Sequence, residues 1–320
     1  MRQSLLISLL MSLVPLGCDD AGSDPVGDAA PDAVADALPD AGDPLDTGPD
    51  AAPDAAPDAA PDAAAQPLGG PDRRALIYVP AGEPPAGGWP LLFVLHGYRA
   101  VPELMRRQYP FDRRVDTHRW VVVYPHGGVE ADGAPFWQAH ERVAGVGEDV
   151  PWLLALADEV AARHPIDLQR FFVIGHSNGG AMAQSMACFA PDRVRGFANI
   201  SGYNITAERC PLARPLTSLH ISGAEDESVP YDGPGGAPGV EASAAWWAEA
   251  VLGCRAPVDE APVDFTPSPP GPETAIRRWT DCPPGLVAER WRLDAVGHVI
   301  IANDAFLDAV HAAFLGTLGP

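Results

Sequence analysis

The chain has 320 residues and a formal net charge of −22 at pH 7, and all of its basic residues are Arg. An acidic chain without a cluster of basic residues argues against nucleic-acid binding, because phosphate contacts need grouped Lys or Arg. The acidity is uneven: residues 19–70 carry thirteen Asp and no basic residue. Residues 72–320 have the length of one α/β domain and are predicted to form one.

The first residues resemble an export signal. Arg2 precedes an apolar run from Leu5 to Leu16, which is short for a membrane-spanning helix. The run ends in Pro15-Leu16-Gly17-Cys18, which resembles the cleavage box of bacterial lipoproteins, although that box usually has Leu where Pro15 stands. We predict a signal peptide over residues 1–18 with lipid on Cys18, and ordinary secretion or a chance cysteine is the alternative. The lipid is the one membrane contact expected.

Residues 19–71 differ sharply in composition from the rest. Pro-Asp-Ala-Ala repeats begin at Pro53, Pro57 and Pro61. Frequent Pro, regular negative charge and few large apolar residues predict a disordered, extended tether. A binding motif is the alternative interpretation.

From residue 72 onward, apolar patterns typical of strands alternate with patterns typical of helices. Strands are predicted at 74–79, 91–95, 120–124, 171–174, 194–200, 216–221, 275–279 and 287–293, and helices at 149–163, 181–189, 240–252 and 305–315. The stretches 231–239 and 256–272, rich in Pro and Gly, are predicted as loops. The alternation predicts an α/β fold with a mostly parallel sheet covered by helices on both faces.

Gly175-His176-Ser177-Asn178-Gly179 fits the G-x-S-x-G pattern of a nucleophile elbow. Chance supplies such a pattern easily in a Gly-rich chain, but this one follows a predicted strand and opens a predicted helix. That setting predicts Ser177 as a nucleophile. A spectator serine in a Gly-rich turn is the alternative.

A serine hydroxyl needs a base, and the base needs an orienting acid, in the chain order Ser, acid, His for this arrangement. His220 lies inside a predicted strand and His311 on the closing helix, whereas His298 follows a strand in a loop. We therefore predict His298 as the base.

The acid is predicted in the turn after the strand at 216–221. Asp226 is preferred, and its neighbours Glu225 and Glu227 compete with it. Asp294 is also close to His298 in sequence, but an acid on the same segment would have difficulty reaching the far side of the imidazole.

An oxyanion intermediate needs two preorganised N–H donors. The backbone N–H of Asn178, directly after the nucleophile, is predicted as one. The other is predicted at Tyr98, in the loop that follows the strand at 91–95. His96, two residues before Tyr98, is predicted to brace that loop through its side chain.

The cysteines divide evenly once Cys18 is set aside. Four in an oxidising compartment fit disulfide pairing. Short sequence separation favours Cys188–Cys210 and Cys254–Cys282, with free buried thiols as the alternative. No CxxC or His-rich spacing indicates a metal site, and the serine mechanism needs no cofactor.

These motifs together resemble the esterase family of bacterial polyhydroxybutyrate depolymerases and feruloyl esterases. The resemblance covers nearly all of residues 73–315 and rests on Leu95-His96-Gly97, Gly175 through Met182, Gly223 through Tyr231, Gly297-His298, Glu148-Asp149-Val150 and Trp247. It implies an α/β-hydrolase fold, a triad of Ser177, Asp226 and His298, and independence of metals. It also implies a disulfide between Cys254 and Cys282.

Two positions depart from the family pattern. Val299 and Ile300 follow the base where the family often has Trp-Pro, so the family's substrates do not carry over directly. Asn178 stands where Ala is common, and its side chain is expected to face the mouth of the site. Trp137 falls where the family places a pocket aromatic, and it is predicted to contact substrate or, alternatively, to pack.

The sequence thus predicts an exported serine carboxylic ester hydrolase. Hydroxybutyrate oligomers and feruloylated saccharides are the expected substrates. The alternatives are a prolyl oligopeptidase-like peptidase, which shares the elbow and the triad order, and a non-catalytic surface binding domain on the same fold.

Overall fold

The computed structural model describes residues 68–70, 73–140 and 147–315. The predicted signal peptide, Cys18 and most of the predicted tether lie outside these residues. Leu68 is buried, and its carbonyl accepts a hydrogen bond from the backbone N–H of Ala75. The packed part of the described chain therefore includes residues before 72.

A large sheet organises the described residues. Its nine strands are β1 (Ala75–Tyr78), β2 (Trp89–Leu95), β3 (Val121–Pro125), β6 (Ile166–His176), β7 (Gly196–Ile200), β8 (Thr217–Gly223), β9 (Pro257–Asp259), β10 (Thr274–Trp279) and β11 (Ala288–Leu293). Two short strands, β4 (Gly128–Val129) and β5 (Pro135–Phe136), pair separately in an antiparallel ribbon.

The strand order in the sheet is β1-β3-β2-β6-β7-β8-β11-β10-β9. The six central strands, from β3 to β11, run parallel. At the edges, β1 is antiparallel to β3, β10 is antiparallel to β11, and β9 is antiparallel to β10. The carboxyl ends of the parallel strands therefore meet at one edge, where open α/β sheets place their ligand sites.

Helices cover both faces of the sheet. They are α1 (Pro102–Gln108), α2 (Val115–His118), α3 (Asp149–Arg163), α4 (Asn178–Phe189), α5 (Val240–Ala245) and α6 (Asp304–Phe314). Alternate residues of β2 point to opposite faces: Phe93 lies in the core with α3, α4 and α5, whereas Val94 lies in the core with α1 and α6. Both faces are buried, and this explains why β2 is apolar throughout. The predicted α/β architecture is confirmed.

Several elements differ from the sequence prediction, and α1, α2, β4 and β5 have no counterpart in it. β6 begins five residues early, because its first residues alternate polar and apolar side chains at a half-buried end of the strand. The helix predicted at 240–252 continues from α5 as a π-helical turn over Trp246–Val251. Within the predicted loop 256–272, β9 pairs with β10 at the sheet edge, where a Pro at the start of a strand is tolerated.

Two disulfides close loops at the ends of helical segments. Cys188 at the end of α4 is bonded to Cys210, and Cys254 is bonded to Cys282 after β10. The predicted pairing is confirmed. No described helix is both long and apolar enough to cross a membrane.

Candidate active site

Ser177 lies in the tight turn between β6 and α4. Its backbone has φ +55° and ψ −123°, a conformation that strains any residue with a side chain. Two hydrogen bonds hold it: the N–H of Ser177 donates to the Ile200 carbonyl at 2.7 Å, and the N–H of Ala181 donates to the Ser177 carbonyl at 3.0 Å. The side chain thus projects from the carboxyl edge of the sheet.

The glycines two residues before and after Ser177 are required by close backbone contacts. A Cβ at Gly175 would lie 2.2 Å from the carbonyl oxygen of Gly179. A Cβ at Gly179 would lie 2.4 Å from the carbonyl oxygens of Leu95 and His96. Since neither contact leaves room for a side chain, the G-x-S-x-G pattern here follows from packing.

His298 approaches Ser177 from the loop after β11. Its Nε2 lies 3.0 Å from the Ser177 Oγ, and its Nδ1 lies 2.8 Å from Asp226 Oδ2 and 3.0 Å from Asp226 Oδ1. The carboxylate fixes the tautomer, because Nδ1 must donate to it. Nε2 is then an acceptor for the serine hydroxyl.

Asp226 lies in the turn after β8, and its side chain is fully buried. Oδ1 accepts hydrogen bonds from the backbone N–H groups of Ser228 at 2.9 Å and Val229 at 2.8 Å. These bonds hold the carboxylate in place and offset the loss of its hydration. The structure thus brings together the three residues predicted as nucleophile, base and acid, from the ends of β6, β8 and β11.

The competing acids lie elsewhere. Glu225 and Glu227 are exposed, as expected for a solvated turn. Asp294 is exposed and pairs with Arg292 at 2.6 Å. Among the described residues, no group of three or more His, Cys, Asp or Glu side chains is arranged to hold a metal ion.

The competing histidines lie away from Ser177. His220 is buried within β8, where its Nδ1 lies 3.2 Å from Asn204 Oδ1. The ring of His311 stacks on that of His118 with centroids 4.0 Å apart. Burial lowers the pKa of His220 to about 3 and that of His311 to about 4, so both are neutral at pH 7.

The profile of the Esterase family, described as "Putative esterase", matches residues 68–262, more than half of the chain. The chain belongs to the Esterase family. It is similar to a poly(3-hydroxyoctanoate) depolymerase of Pseudomonas fluorescens, 29% identical over 180 residues, which cover 50% of this chain and 64% of the relative. It is also similar to a bifunctional acetylxylan esterase/xylanase of Neocallimastix patriciarum, 26% identical over 162 residues, which cover 51% of this chain and 22% of the relative.

The chain thus spans less than two thirds of the length of either curated relative. Among solved structures, an acetyl xylan esterase from Aspergillus awamori superposes with a TM-score of 0.55 at 16% identity, over 76% of this chain and 94% of that one. This likeness supports the fold, and the predicted α/β-hydrolase architecture is confirmed.

In this member of the Esterase family, the loop after β2 lies directly against the elbow. A Cβ added at Gly97 would lie 3.4 Å from the Ser177 Cβ. His96 braces the loop as expected: its Nε2 accepts from the Gly127 N–H at 2.8 Å, so its Nδ1 donates to the Gly97 carbonyl at 2.8 Å. Burial lowers the pKa of His96 to about 4 and keeps it neutral. Tyr98 follows with a half-exposed ring whose hydroxyl donates to Glu130 at 2.7 Å.

Trp137 follows the packing alternative, and Asn178 departs from its expected position. Trp137 is fully buried and its Nε1 donates to the His96 carbonyl at 2.9 Å, so it packs behind the loop and offers no surface to a substrate. The Asn178 side chain does not face the mouth of the site. It is buried against the Trp137 backbone, from which its Oδ1 accepts at 2.7 Å and to which its Nδ2 donates at 3.0 Å.

His176 is a residue of the site that the sequence reasoning missed. Its Nε2 donates to the backbone carbonyl of His298 at 2.8 Å, and the two rings lie 4.9 Å apart. Burial lowers the pKa of His176 to about 4, so the ring is neutral. The residue before the nucleophile thus ties down the loop that carries the predicted base. Its position in the elbow motif was visible in the sequence, but its partner was not.

Proposed function

We propose that this protein is a serine carboxylic ester hydrolase in which Ser177, His298 and Asp226 form the catalytic triad. The observation that carries the proposal is the unbroken hydrogen-bond path from Ser177 Oγ through both nitrogens of His298 to the buried Asp226 carboxylate. This path gives the serine hydroxyl both groups that it needs to act as a nucleophile, a base and an acid that orients the base.

The reaction proceeds through an acyl-enzyme. Ser177 Oγ forms a bond to the ester carbonyl carbon while its proton moves to His298 Nε2. The tetrahedral intermediate collapses, the bond to the alcohol oxygen breaks, and the departing alkoxide takes the proton from Nε2. Water then attacks the acyl-enzyme through the same base and releases the acid. Asp226 keeps its charge throughout and stabilises the imidazolium.

The backbone N–H groups of Asn178 and Tyr98 are proposed as the oxyanion donors. Asn178 begins α4 directly after the nucleophile, so its N–H belongs to the first turn of a helix, where N–H groups favour negative charge. Tyr98 follows Gly97, which is in contact distance of Ser177. Both N–H groups thus belong to segments that adjoin Ser177, which supports their assignment as oxyanion donors.

The substrate is proposed to be a carboxylic ester of a polymer or oligomer. One relative is named as a poly(3-hydroxyoctanoate) depolymerase and another as an acetylxylan esterase, and an enzyme of either name would cleave carboxylic esters. Hydroxyalkanoate oligomers and acylated saccharides, including feruloylated ones, are the two candidate classes.

An exported enzyme is proposed, and the two disulfides fit an oxidising compartment outside the cytoplasm. Retention by lipid on Cys18 is part of this proposal. Mass spectrometry of the mature N-terminus from the native host tests it, since cleavage before an unmodified residue contradicts the lipid anchor.

The central experiment compares wild type and Ser177→Ala on hydroxybutyrate oligomers, methyl ferulate, short acyl esters and a Pro-anilide. We expect ester hydrolysis in wild type and a loss of at least about 10,000-fold in kcat for Ser177→Ala, as for other serine hydrolases. Hydrolysis that survives in Ser177→Ala would contradict the mechanism, and cleavage of the anilide alone would indicate a peptidase.

A fluorophosphonate that reacts with activated serines separates an enzyme from a binding domain. Peptide mapping should place the label on Ser177 of folded wild type and find none after acid or heat unfolding. Folded protein that fails to react at Ser177 would favour the non-catalytic alternative.

A further inference from the structure

Residues 135–137 hydrogen-bond to both chain segments that are proposed to supply the oxyanion donors. One is the loop after β2, which contains Tyr98, and the other is the start of α4 at Asn178. We call residues 135–137, which comprise β5 and Trp137, the linking segment. Its hydrogen bonds differ from those that join the triad, so they can be removed without changing a triad side chain.

Two hydrogen bonds join the linking segment to the loop after β2. The backbone N–H of Arg99 donates to the Pro135 carbonyl at 2.8 Å, and Trp137 Nε1 donates to the His96 carbonyl at 2.9 Å. The two bonded groups lie on either side of Tyr98 in the chain. The linking segment therefore fixes the backbone that carries the Tyr98 N–H from both directions.

The loop needs this support because its backbone is strained. Arg99 has φ +59°, in the left-handed region that a residue with a side chain rarely adopts. The Ala100 N–H donates to the Gly97 carbonyl at 3.2 Å and closes a turn with Tyr98 and Arg99 at its centre. The Arg99 side chain pairs with Asp132, between β4 and β5, at 2.6 Å. Such strain persists only where the surrounding structure holds it.

Two further hydrogen bonds join the linking segment to the elbow. Asn178 Oδ1 accepts from the Trp137 backbone N–H at 2.7 Å, and Asn178 Nδ2 donates to the Trp137 carbonyl at 3.0 Å. Both residues are buried, so water cannot replace these bonds without entering the core. Because the Asn side chain is short, an amide held at both ends also fixes the backbone of Asn178 and the direction of its N–H.

The two segments that the linking segment joins are also in direct contact. A Cβ at Gly179 would lie 2.4 Å from the His96 carbonyl oxygen, and a Cβ at Gly97 would lie 3.4 Å from the Ser177 Cβ. Trp137 hydrogen-bonds to both segments, through its ring to the loop and through its backbone to the elbow. One buried residue thus sets how the loop and the elbow are placed relative to each other.

We propose that the Asn178 side chain is a positioning group that, through Trp137, fixes the geometry of the two oxyanion donors. The inference rests on the proposed function and deepens it. Oxyanion donors stabilise the intermediate only when they are preorganised around the developing charge. A displacement of about 1 Å costs up to about 100-fold in rate. An alanine at position 178 would keep the backbone N–H and lose the link to Trp137.

The test compares an aryl acetate with the matching O-aryl thionoacetate, which has sulfur in place of the carbonyl oxygen. In Asn178→Ala, kcat/KM for the acetate should fall about 30- to 100-fold, because the donors no longer converge on the oxyanion. Sulfur accepts hydrogen bonds weakly, so kcat/KM for the thionoacetate should fall by less than about threefold. The ratio of the two kcat/KM values should therefore fall at least about tenfold.

A second variant releases the link from the other side. Trp137→Phe keeps an aromatic ring and removes the Nε1–H that donates to the His96 carbonyl. We expect the ratio to fall about three- to tenfold. In the double variant with Asn178→Ala, the ratio should fall by less than the product of the two single effects, because both substitutions break the same link.

Asn303→Ala is the matched control. Asn303 Oδ1 accepts from the Phe306 N–H at 3.1 Å, and its Nδ2 donates to the Asp264 carbonyl at 3.0 Å, at the start of α6. The substitution therefore removes the same two types of hydrogen bond as Asn178→Ala. It should lower the unfolding midpoint in urea and leave the ratio of kcat/KM values as in wild type.

Three results would overturn this inference while leaving the proposed function intact: an unchanged ratio in folded Asn178→Ala, equal losses on the two substrates, or an equal fall of the ratio in Asn303→Ala. If circular dichroism shows that Asn178→Ala is unfolded, Trp137→Phe decides, and an unchanged ratio there overturns the inference. Wild type that hydrolyses neither substrate, with Ser177 unreactive towards the fluorophosphonate, would overturn the proposed function and the inference together.

Discussion

Two histidines in this protein each lie 2.8 Å from a carboxylate oxygen, His298 from Asp226 and His118 from Asp308. The first pair lies at the carboxyl edge of the sheet, and the second joins α2 to α6. Their side-chain chemistry and distance are the same, so any difference in function must come from what surrounds them.

The surroundings differ at both ends of the pair. The Asp226 side chain is fully buried and held by two backbone N–H groups, whereas 55% of the Asp308 side chain is exposed and it lies near Arg114. On the other imidazole nitrogen, His298 faces the Ser177 hydroxyl, but His118 Nδ1 has no hydrogen-bond partner in the described structure. A His–Asp pair therefore indicates catalysis only when a third, reactive group meets the free nitrogen.

The largest expected effect is on kcat, and it should distinguish His298 from His118. We expect His298→Gln to lower kcat for an aryl ester by at least about 10,000-fold, because the serine loses its base. The matched variant His118→Gln should change kcat by less than about threefold and lower the stability by about 1 kcal/mol, since it loses one hydrogen bond. Steady-state kinetics and urea unfolding measure both, and comparable losses of kcat in the two variants would refute the contrast.

The next largest effect on kcat should distinguish Asp226 from Asp308. Asp226→Asn should lower kcat by about 1,000- to 10,000-fold, because an amide favours the wrong imidazole tautomer. The kcat of Asp308→Asn should stay within about twofold of the wild-type value, because Asp308 belongs to a half-exposed ion pair. Asp294→Asn serves as a second control, and a larger loss there than in Asp226→Asn would identify Asp294 as the acid.

A smaller effect should come from His176, which positions His298 without touching the serine. We expect His176→Leu to lower kcat by about 10- to 100-fold at unchanged KM, because the base loses its anchored geometry. His176→Gln keeps an N–H near the His298 carbonyl and should restore most of the rate. A loss that appears in KM, or that Gln does not repair, would argue for a merely structural role.

The smallest expected effect is on the free energy of unfolding at acid pH, and it comes from the stacked rings of His118 and His311. Burial lowers the folded-state pKa of His311 to about 4, so the unfolded state, with a pKa near 6.5, binds its proton first. The contribution of His311 to the free energy of unfolding is therefore complete above pH 6.5 and is lost as the pH falls from 6.5 towards 4.

Replacing His311 by Phe should therefore reduce the loss of unfolding free energy between pH 7 and pH 4.5 by about 1–2 kcal/mol, allowing for partial solvent exposure. Urea titrations at the two pH values measure it. An acid-induced loss equal to that of wild type would show that His311 titrates normally in the folded protein.

The sequence predicted the local features well because their evidence is contiguous. The elbow is five successive residues, and α3 begins and ends where its apolar spacing predicts. The order of Ser177, Asp226 and His298 placed each at the end of a predicted strand, and parallel strands bring such ends to one edge of the sheet. Short separations in sequence also indicated both disulfides.

The sequence left Trp137 open between substrate contact and packing, and it misplaced the Asn178 side chain, because side-chain direction is decided by remote neighbours. The residues near Trp137 in sequence do not reveal that its Nε1–H donates to the His96 carbonyl. They also do not reveal that the Asn178 side chain hydrogen-bonds to the backbone N–H and carbonyl of Trp137. The contact of His176 with His298 joins residues 122 positions apart, which no local pattern reveals.

The sequence by itself determined the sheet, the elbow at Ser177 and the order of the residues around it, since periodicity and short motifs follow from local backbone geometry. Only the tertiary structure decided which His–Asp pair meets a serine and which aromatic is buried. Those outcomes depend on contacts among the loop after β2, the turn after β8 and the loop after β11. Such contacts form only when distant parts of the chain pack together and exclude water from some polar groups but not from others.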